Sequence, residues 1–317
     1  MMRTYKKYSY TLTTKSYLAL SPRASMAFYR EIHFDKNITF GEEKRLYNTI
    51  YPFYQYGDYS MYDPGSADYY IPGSAIKGAL CSGENSIKDE SLKLMVDDII
   101  LTDRENENDS ETKTEVISLS KTQYFHDLLS TPKYKQDKSK IPKIADFFAE
   151  TVGIEVIKKD IILKGSFLYD GDDIEEFLKR VYERTSIKRK NYILQMDNLL
   201  KKLKEISTAK PKPVTNFANI HVAENLSDLK KINEGIKNTM CHLKTIKNAF
   251  EGINMDKCIF LGGYKGLLRS LETTATDKIA AEKLMDQSAI FVDTEELPLG
   301  IVEFCLDESE NSKKKVL

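Results

Sequence analysis

Three short stretches hold residue types that could bind or react. The first is Gly73-Ser74-Ala75-Ile76-Lys77-Gly78, directly after Tyr-Tyr-Ile-Pro. Free backbone N–H groups at a helix start, together with the helix dipole, favour an anion. A Lys on the first turn adds a point charge. This is not a P-loop, where Lys follows the second glycine; here Lys77 precedes Gly78, so ATP is not indicated. Spacing alone favours an ordinary strand-to-helix turn. The second stretch is Gly262-Gly263-Tyr264-Lys265-Gly266, with Arg269 just beyond. Adjacent glycines admit a close neighbour, Tyr264 offers a stacking face, and Lys265 and Arg269 supply positive charge, the means by which single-stranded RNA is held. Its bland counterpart is a tight turn after an apolar strand. The third is His33, in a loop beside Arg30, Glu31 and Asp35. A metal-free ribonuclease needs a general base near neutral pH, and His33 is the best single candidate.

Other chemistries find little support. The cysteines Cys81, Cys241, Cys258 and Cys305 are scattered, with no C-x-x-C pair, and read as buried free thiols. The four histidines have no metal-ligand spacing, so neither a metal nor a cofactor is expected. No Ser/His/Asp or Cys/His arrangement can be argued from spacing.

The elements that position these residues are those of a folded chain of 317 residues, 41% hydrophobic and 30% charged. A net charge of −1 gives no overall attraction to nucleic acid, so an RNA role needs local basic patches. One exists: Lys179–Lys212 holds eleven Lys or Arg against three acids. It is either a nucleic-acid or acidic-partner surface or a solvated helix face. The chain contains no run of about 18 apolar residues and its start has no signal-peptide core, so a cytoplasmic location without membrane contact is expected.

Residues 8–14 alternate as a strand. A tyrosine cluster fills 42–70, expected to pack rather than to stack bases. A helix is predicted from Ser74, as N-cap, to about Cys81. Strands are predicted at 95–101 and 116–120, joined by a solvated acidic tip. A basic linker at 131–142 and a short helix at 142–151 follow, then one bent strand or two over 154–169. Helices dominate 173–251, with a kink at Thr185-Ser186 and a stop at the Lys-Pro-Lys-Pro of 210–213. Strands close the chain at 258–261 and 297–306. Strands, an inserted helical block and strands again indicate an α+β protein.

Taken together, "YIPGSAIKGAL" resembles the IPGSSIKGA-type segment of the RAMP superfamily of CRISPR-associated RNA-binding proteins, and "LGGYKGLLRS" resembles that superfamily's C-terminal glycine-rich loop. "VDDIIL" stands where these proteins carry a V-S-D-type strand, and "IEVIKKDIILKGSFLY" looks like their IEV…G-F segment. "LPLGIVEF" is similar to the closing strand of the fifth Csm subunit of type III-A effector complexes. The likeness spans about residues 8–306. Its departures are the glycine-free "TTKSYLALSPRAS" after strand one and Cys81 where a basic residue is usual.

The resemblance implies one or two ferredoxin-like, RRM-related modules: residues 1–152, and a RAMP-like portion at 153–317 that includes the helical insertion 173–251. It implies crRNA binding by backbone and shape at Arg23, Gly73, Ser74, Lys77, Gly262, Gly263, Tyr264, Lys265, Gly266 and Arg269, with no nuclease activity of the chain's own. The implied role is to cap the 3′-end side of the crRNA filament and aid crRNA maturation in antiviral defence. Implied partners are crRNA, the other Csm subunits (above all the repeated backbone subunit and the small subunit) and host nucleases. Two alternatives stand beside it: a RAMP-family endoribonuclease or backbone subunit, with His33 as base or Asp35 as the early-loop aspartate, and a protein–protein adaptor with no RNA role.

Overall fold

The computed structural model describes residues 5–20, 26–41, 44–57, 59–81, 93–101, 113–123, 125, 142–146, 148, 150–208, 222–263, 289–293, 295 and 297–307, with the side chains of 208 and 222–232 excepted. Within these residues the chain is a mixed α+β protein. Strand β1 (Lys6–Thr14) follows its alternating pattern: Tyr8, Tyr10, Leu12 and Thr14 are buried, while the intervening residues are half-buried or exposed.

β1 lies inside a five-stranded antiparallel sheet. On one side it pairs with β12 (Ile162–Tyr169), which pairs in turn with β6 (Leu94–Val96). On the other it pairs with β15 (Ile301–Leu306), whose far neighbour is β13 (Cys258–Phe260). The spatial order is therefore β13-β15-β1-β12-β6. Helix α1 (Gly73–Cys81) connects the β1 side of the chain to β6, and helix α2 (Ile174–Thr208) follows β12. Both bury their apolar stripes in one core: Ile76 and Leu80 of α1, and Phe177, Leu178 and Val181 of α2, meet Tyr10, Phe167 and Phe304 of the sheet. Tyr10 stacks on Phe304 with centroids 4.5 Å apart.

α2 begins where Asp173 accepts hydrogen bonds from the N–H groups of Glu175 and Glu176 at 2.9 and 3.1 Å, an N-cap. It continues unbroken for 35 residues, so the expected kink at Thr185 is absent. The Thr185 hydroxyl donates to the Val181 carbonyl one turn back at 3.1 Å, which satisfies it without interrupting the helix. The second half of α2 packs on α3 (Val222–Gly252) around a separate core of Tyr192, Met196, Leu199, Leu203, Ile236, Leu243, Ile246 and Phe250. A Lys247–Asp197 ion pair of 2.6 Å ties the two helices. Arg189 donates to the carbonyls of Glu251 and Ile253 and so caps the end of α3.

Three smaller sheets complete the chain. β2 (Phe28–Tyr29), β3 (Thr49–Tyr51), β11 (Val152–Ile157) and β8 (Thr114–Ile117) form one. β4 (Gln55–Tyr56), β5 (Asp68–Ile71) and β7 (Ile99–Ile100) form another. β9 (Ser120–Gln123), β10 (Lys143–Asp146) and β14 (Phe291–Val292) form the third. β10 stands where a helix over 142–151 was expected. Ten residues make a marginal helix, while the open edge of β9 offers Lys143–Asp146 a full antiparallel pairing.

The predicted strand 95–101 is two strands in different sheets, broken at Asp97-Asp98. Asp97 turns the chain through its N–H to the Ser166 carbonyl and its carboxylate to the Ser166 hydroxyl. The long segment 154–169 resolves as β11 and β12 around a turn at 158–161. Cys81 and Cys258 are buried as expected, but Cys305 is half-buried and Cys241 exposed, because Cys241 falls on the outer side of α3. Among the described residues no helix is long and apolar enough to cross a membrane. The acidic tip 102–112, the basic linker up to 141, the stop at 210–213, the Leu229 and Ile232 side chains and the closing tail all lie outside what is described.

Candidate functional site

β1, β6 and β13 run in the same direction, and each of the two glycine motifs meets a C-terminal end among them. The chain leaves β1 through Lys15 and Ser16, whose N–H groups both reach the Ile301 carbonyl; the Ser16 hydroxyl accepts from the Ile301 N–H at 3.0 Å. Gly300 donates to the Tyr17 carbonyl at 2.8 Å and Leu261 to the Gly300 carbonyl at 2.9 Å. Gly263 then donates to the Ala19 carbonyl at 2.8 Å. The glycine motif thus rests directly on the segment after β1.

Gly262 explains why a glycine is needed there. Its φ is +89°, and a Cβ would lie 2.5 Å from the Ala19 carbonyl oxygen and 2.8 Å from Leu18 Cδ1. The same backbone weave reaches α1. Tyr54 donates to the Leu20 carbonyl at 3.2 Å, Tyr70 donates to the Tyr54 carbonyl at 3.0 Å, and β5 then runs into the first turn of α1. α1 itself packs against β13, the strand that ends at the glycine motif. Segments 15–20 and 262–263 are therefore hydrogen-bonded to each other, and 15–20 is linked through Tyr54 and Tyr70 to the strand that runs into α1.

At the start of α1, Gly73 lies against the end of β6, where a Cβ would meet the Val96 carbonyl oxygen. Its N–H donates to Asp98 Oδ1 at 2.7 Å. Ser74 is not the N-cap: the helix begins one residue earlier, the Pro72 carbonyl accepts from Ala75, and the capping carboxylate comes from Asp98 across the fold. Both motif glycines thus answer to packing within the chain. What faces outward is Ser74, exposed, and Lys77, half-buried. No acidic side chain among the described residues pairs with Lys77. Arg23, Tyr264, Lys265, Gly266 and Arg269 lie outside the described residues, although the chain enters both of their segments from this junction.

His33 sits elsewhere, in the turn that follows β2. Its Nδ1 accepts the Tyr29 N–H at 2.9 Å, so a neutral ring carries its proton on Nε2 and has no free base nitrogen. No carboxylate orients it among the described residues; its ring neighbours are Phe28 and Tyr29. Asp35 accepts the Asn37 N–H at 2.7 Å in a local turn. Among the described residues no group of three or more His, Cys, Asp or Glu side chains could hold a metal ion. Burial pushes the Cys258 thiol up to about 12, which removes it as a nucleophile.

Most of the tyrosine cluster packs, although Tyr56 stays exposed. Tyr47 and Tyr69 are buried, and Tyr59 and Tyr62 lean on the core of Phe28, Phe34 and Ile50. At its heart is a residue that sequence reasoning missed. Glu155 of β11 is 1% exposed and accepts hydrogen bonds from the Phe53 N–H at 2.8 Å, Tyr62 at 3.2 Å and Tyr69 at 2.5 Å. Burial raises its carboxyl from 4.5 to about 7, against the opposing pull of those three donors. The signal for it was one carboxylate in the otherwise apolar run Ile154–Ile157. In comparisons with known proteins, no family model matches this chain and no curated protein matches it.

Proposed function

We propose that this chain is a non-catalytic, crRNA-binding subunit of a type III-A CRISPR effector complex, capping the 3′-end side of the crRNA filament. The observation that carries the proposal is the backbone hydrogen bonding that ties 15–20 to 262–263 and, through Tyr54 and Tyr70, to the strand that runs into α1; it joins the two motifs on which the resemblance to the RAMP superfamily rests. The strand order supports a ferredoxin-like module. In chain order β1, α1, β6, β12, α2 and β15 read β-α-β-β-α-β. The outer strands β15 and β6 flank β1 and β12, and both helices lie in the core of one sheet face. β13 extends that sheet by one edge strand, and α3 with the second half of α2 is the inserted helical block.

In this reading Ser74 and Lys77 face crRNA phosphate, Gly73 and Gly262 set the close packing that builds the surface, and Arg23, Lys265 and Arg269 extend it. The partners are the other Csm subunits, above all the repeated backbone subunit and the small subunit, with host nucleases recruited for maturation, in the cytoplasm. The occupied Nδ1 of His33 and the turn role of Asp35 favour binding over cleavage.

The test is binding of fluorescent single-stranded RNA across a salt series. Lys77→Ala with Lys265→Ala should weaken binding and lower the slope of log affinity against log salt by about one per lost contact. Unchanged affinity and slope refute the assignment. Incubation with repeat RNA in EDTA separates the runner-up: cleavage that vanishes in His33→Ala makes the chain a ribonuclease.

A further inference from the structure

The small sheet of β4, β5 and β7 has one buried face and one open face. Register places Tyr56 opposite Asp68, and Tyr70 opposite Ile100, so these four share the open face. Gln55, Tyr69, Ile71 and Ile99 take the buried one. Tyr56 is 45% exposed and Ile100 53%. Tyr56 and Tyr70 stack with centroids 4.0 Å apart and planes 12° from parallel. The Tyr56 hydroxyl donates to Asp98 Oδ2 at 2.9 Å, and the other oxygen of that carboxylate is held by the Gly73 N–H. The ring is thus backed by one tyrosine and pinned at its hydroxyl. A ligand meeting its free face has little side-chain freedom left to remove.

The charge around the ring selects the ligand. The side chains on the open face itself are Tyr56, Asp68, Tyr70 and Ile100, so the charge it carries is acidic. Asp97 and Asp98 add two more carboxylates from the neighbouring corner. Phosphate is repelled by such a surface. A guanidinium is suited to it, since its plane stacks on an aromatic face while its N–H groups reach a carboxylate. We propose that this open face is a docking surface for a protein partner that lays an arginine side chain on the Tyr56 ring, with Asp98 as its counter-charge. The surface adjoins the proposed phosphate face through Asp98, which also holds the Gly73 N–H, but its ligand is a cation, so loss of the Lys77 effect would leave it in place.

The full chain labelled with fluorotyrosine gives the test by fluorine NMR. The Tyr56 line is the one missing from the Tyr56→Phe protein. The probe is the blocked peptide Gly-Ser-Arg-Ser-Gly, with the same peptide carrying Gln for Arg as control and an oligouridylate as competitor class. The Arg peptide should move the Tyr56 line in the unmutated protein, and the Gln peptide should not. Asp98→Asn should weaken the Arg effect by up to about fivefold. Movement with oligouridylate but not with the Arg peptide makes this an RNA face and overturns the proposal. Equal movement with Arg and Gln, or movement with neither, overturns it as well. Because the Arg-against-Gln comparison uses the unmutated chain, an Asp98→Asn protein that fails to fold does not blunt it.

Discussion

Glu155→Gln isolates the buried carboxylate at the centre of the tyrosine cluster. The wild-type carboxyl is raised from 4.5 to about 7 by burial, so the folded chain holds its proton more tightly than the unfolded chain does. The associated stability is fully present below about pH 4.5 and is lost as pH rises through about 7. A shift of that size corresponds to about 3 kcal/mol between the two limits. The amide that replaces the carboxyl cannot ionise, so that slope disappears from the variant. It also leaves the Phe53 N–H or one tyrosine hydroxyl poorly matched, a cost of about 1–3 kcal/mol that does not vary with pH. Asp293, buried and raised to about 6, titrates in the same direction in both proteins and cancels in their difference. Urea unfolding of both proteins from pH 4.5 to 8 measures the effect. The variant should gain on the wild type by about 3 kcal/mol across that range. A difference that stays flat with pH refutes the reasoning, since it would mean that Glu155 is not held in a desolvated site.

Further outcomes follow from the same geometry. Gly262→Ala forces a side chain into a left-handed backbone against the Ala19 carbonyl and should cost about 1–3 kcal/mol in denaturant unfolding. Phe250→Ala empties the fully buried centre of the α2–α3 core and should cost about 3–5 kcal/mol by the same assay. A maleimide at neutral pH should modify exposed Cys241 first, leaving buried Cys81 and Cys258 untouched until the chain unfolds; mass mapping of the labelled peptides reads this directly.

Legibility in the sequence tracked how local each cause was. The alternation in residues 8–14 and the apolar stripe of Ile174, Phe177, Leu178 and Val181 each state their own burial; the strand forms with two residues more at its start, and the helix forms without the kink expected at Thr185. The strand at 95–101 failed because Asp97 and Asp98 are turned by partners distant in sequence: Ser166 for one, Gly73 and Tyr56 for the other. For the same reason Ser74 looked like an N-cap while the cap came from Asp98. The helix expected at 142–151 lost to an edge strand that no local pattern announces. The glycines of the 262–266 stretch were visible as sites of close approach, but spacing could not say that the close neighbour of Gly262 is Ala19 of this same chain, and it gave no sign that Gly73 is pressed against Val96.

The central claim is that the junction of 15–20, 73–77 and 262–263, with the chain that continues from it at 21–25, 78–81 and 264–270, meets RNA. Photocrosslinking of the full chain to thiouridine-substituted single-stranded RNA, followed by mass mapping of the crosslinked peptides, tests it most directly. The account predicts crosslinks concentrated in those three segments and reduced by Lys77→Ala. Crosslinks confined to the basic face of α2, or absent from all three segments while the RNA remains bound, would contradict it.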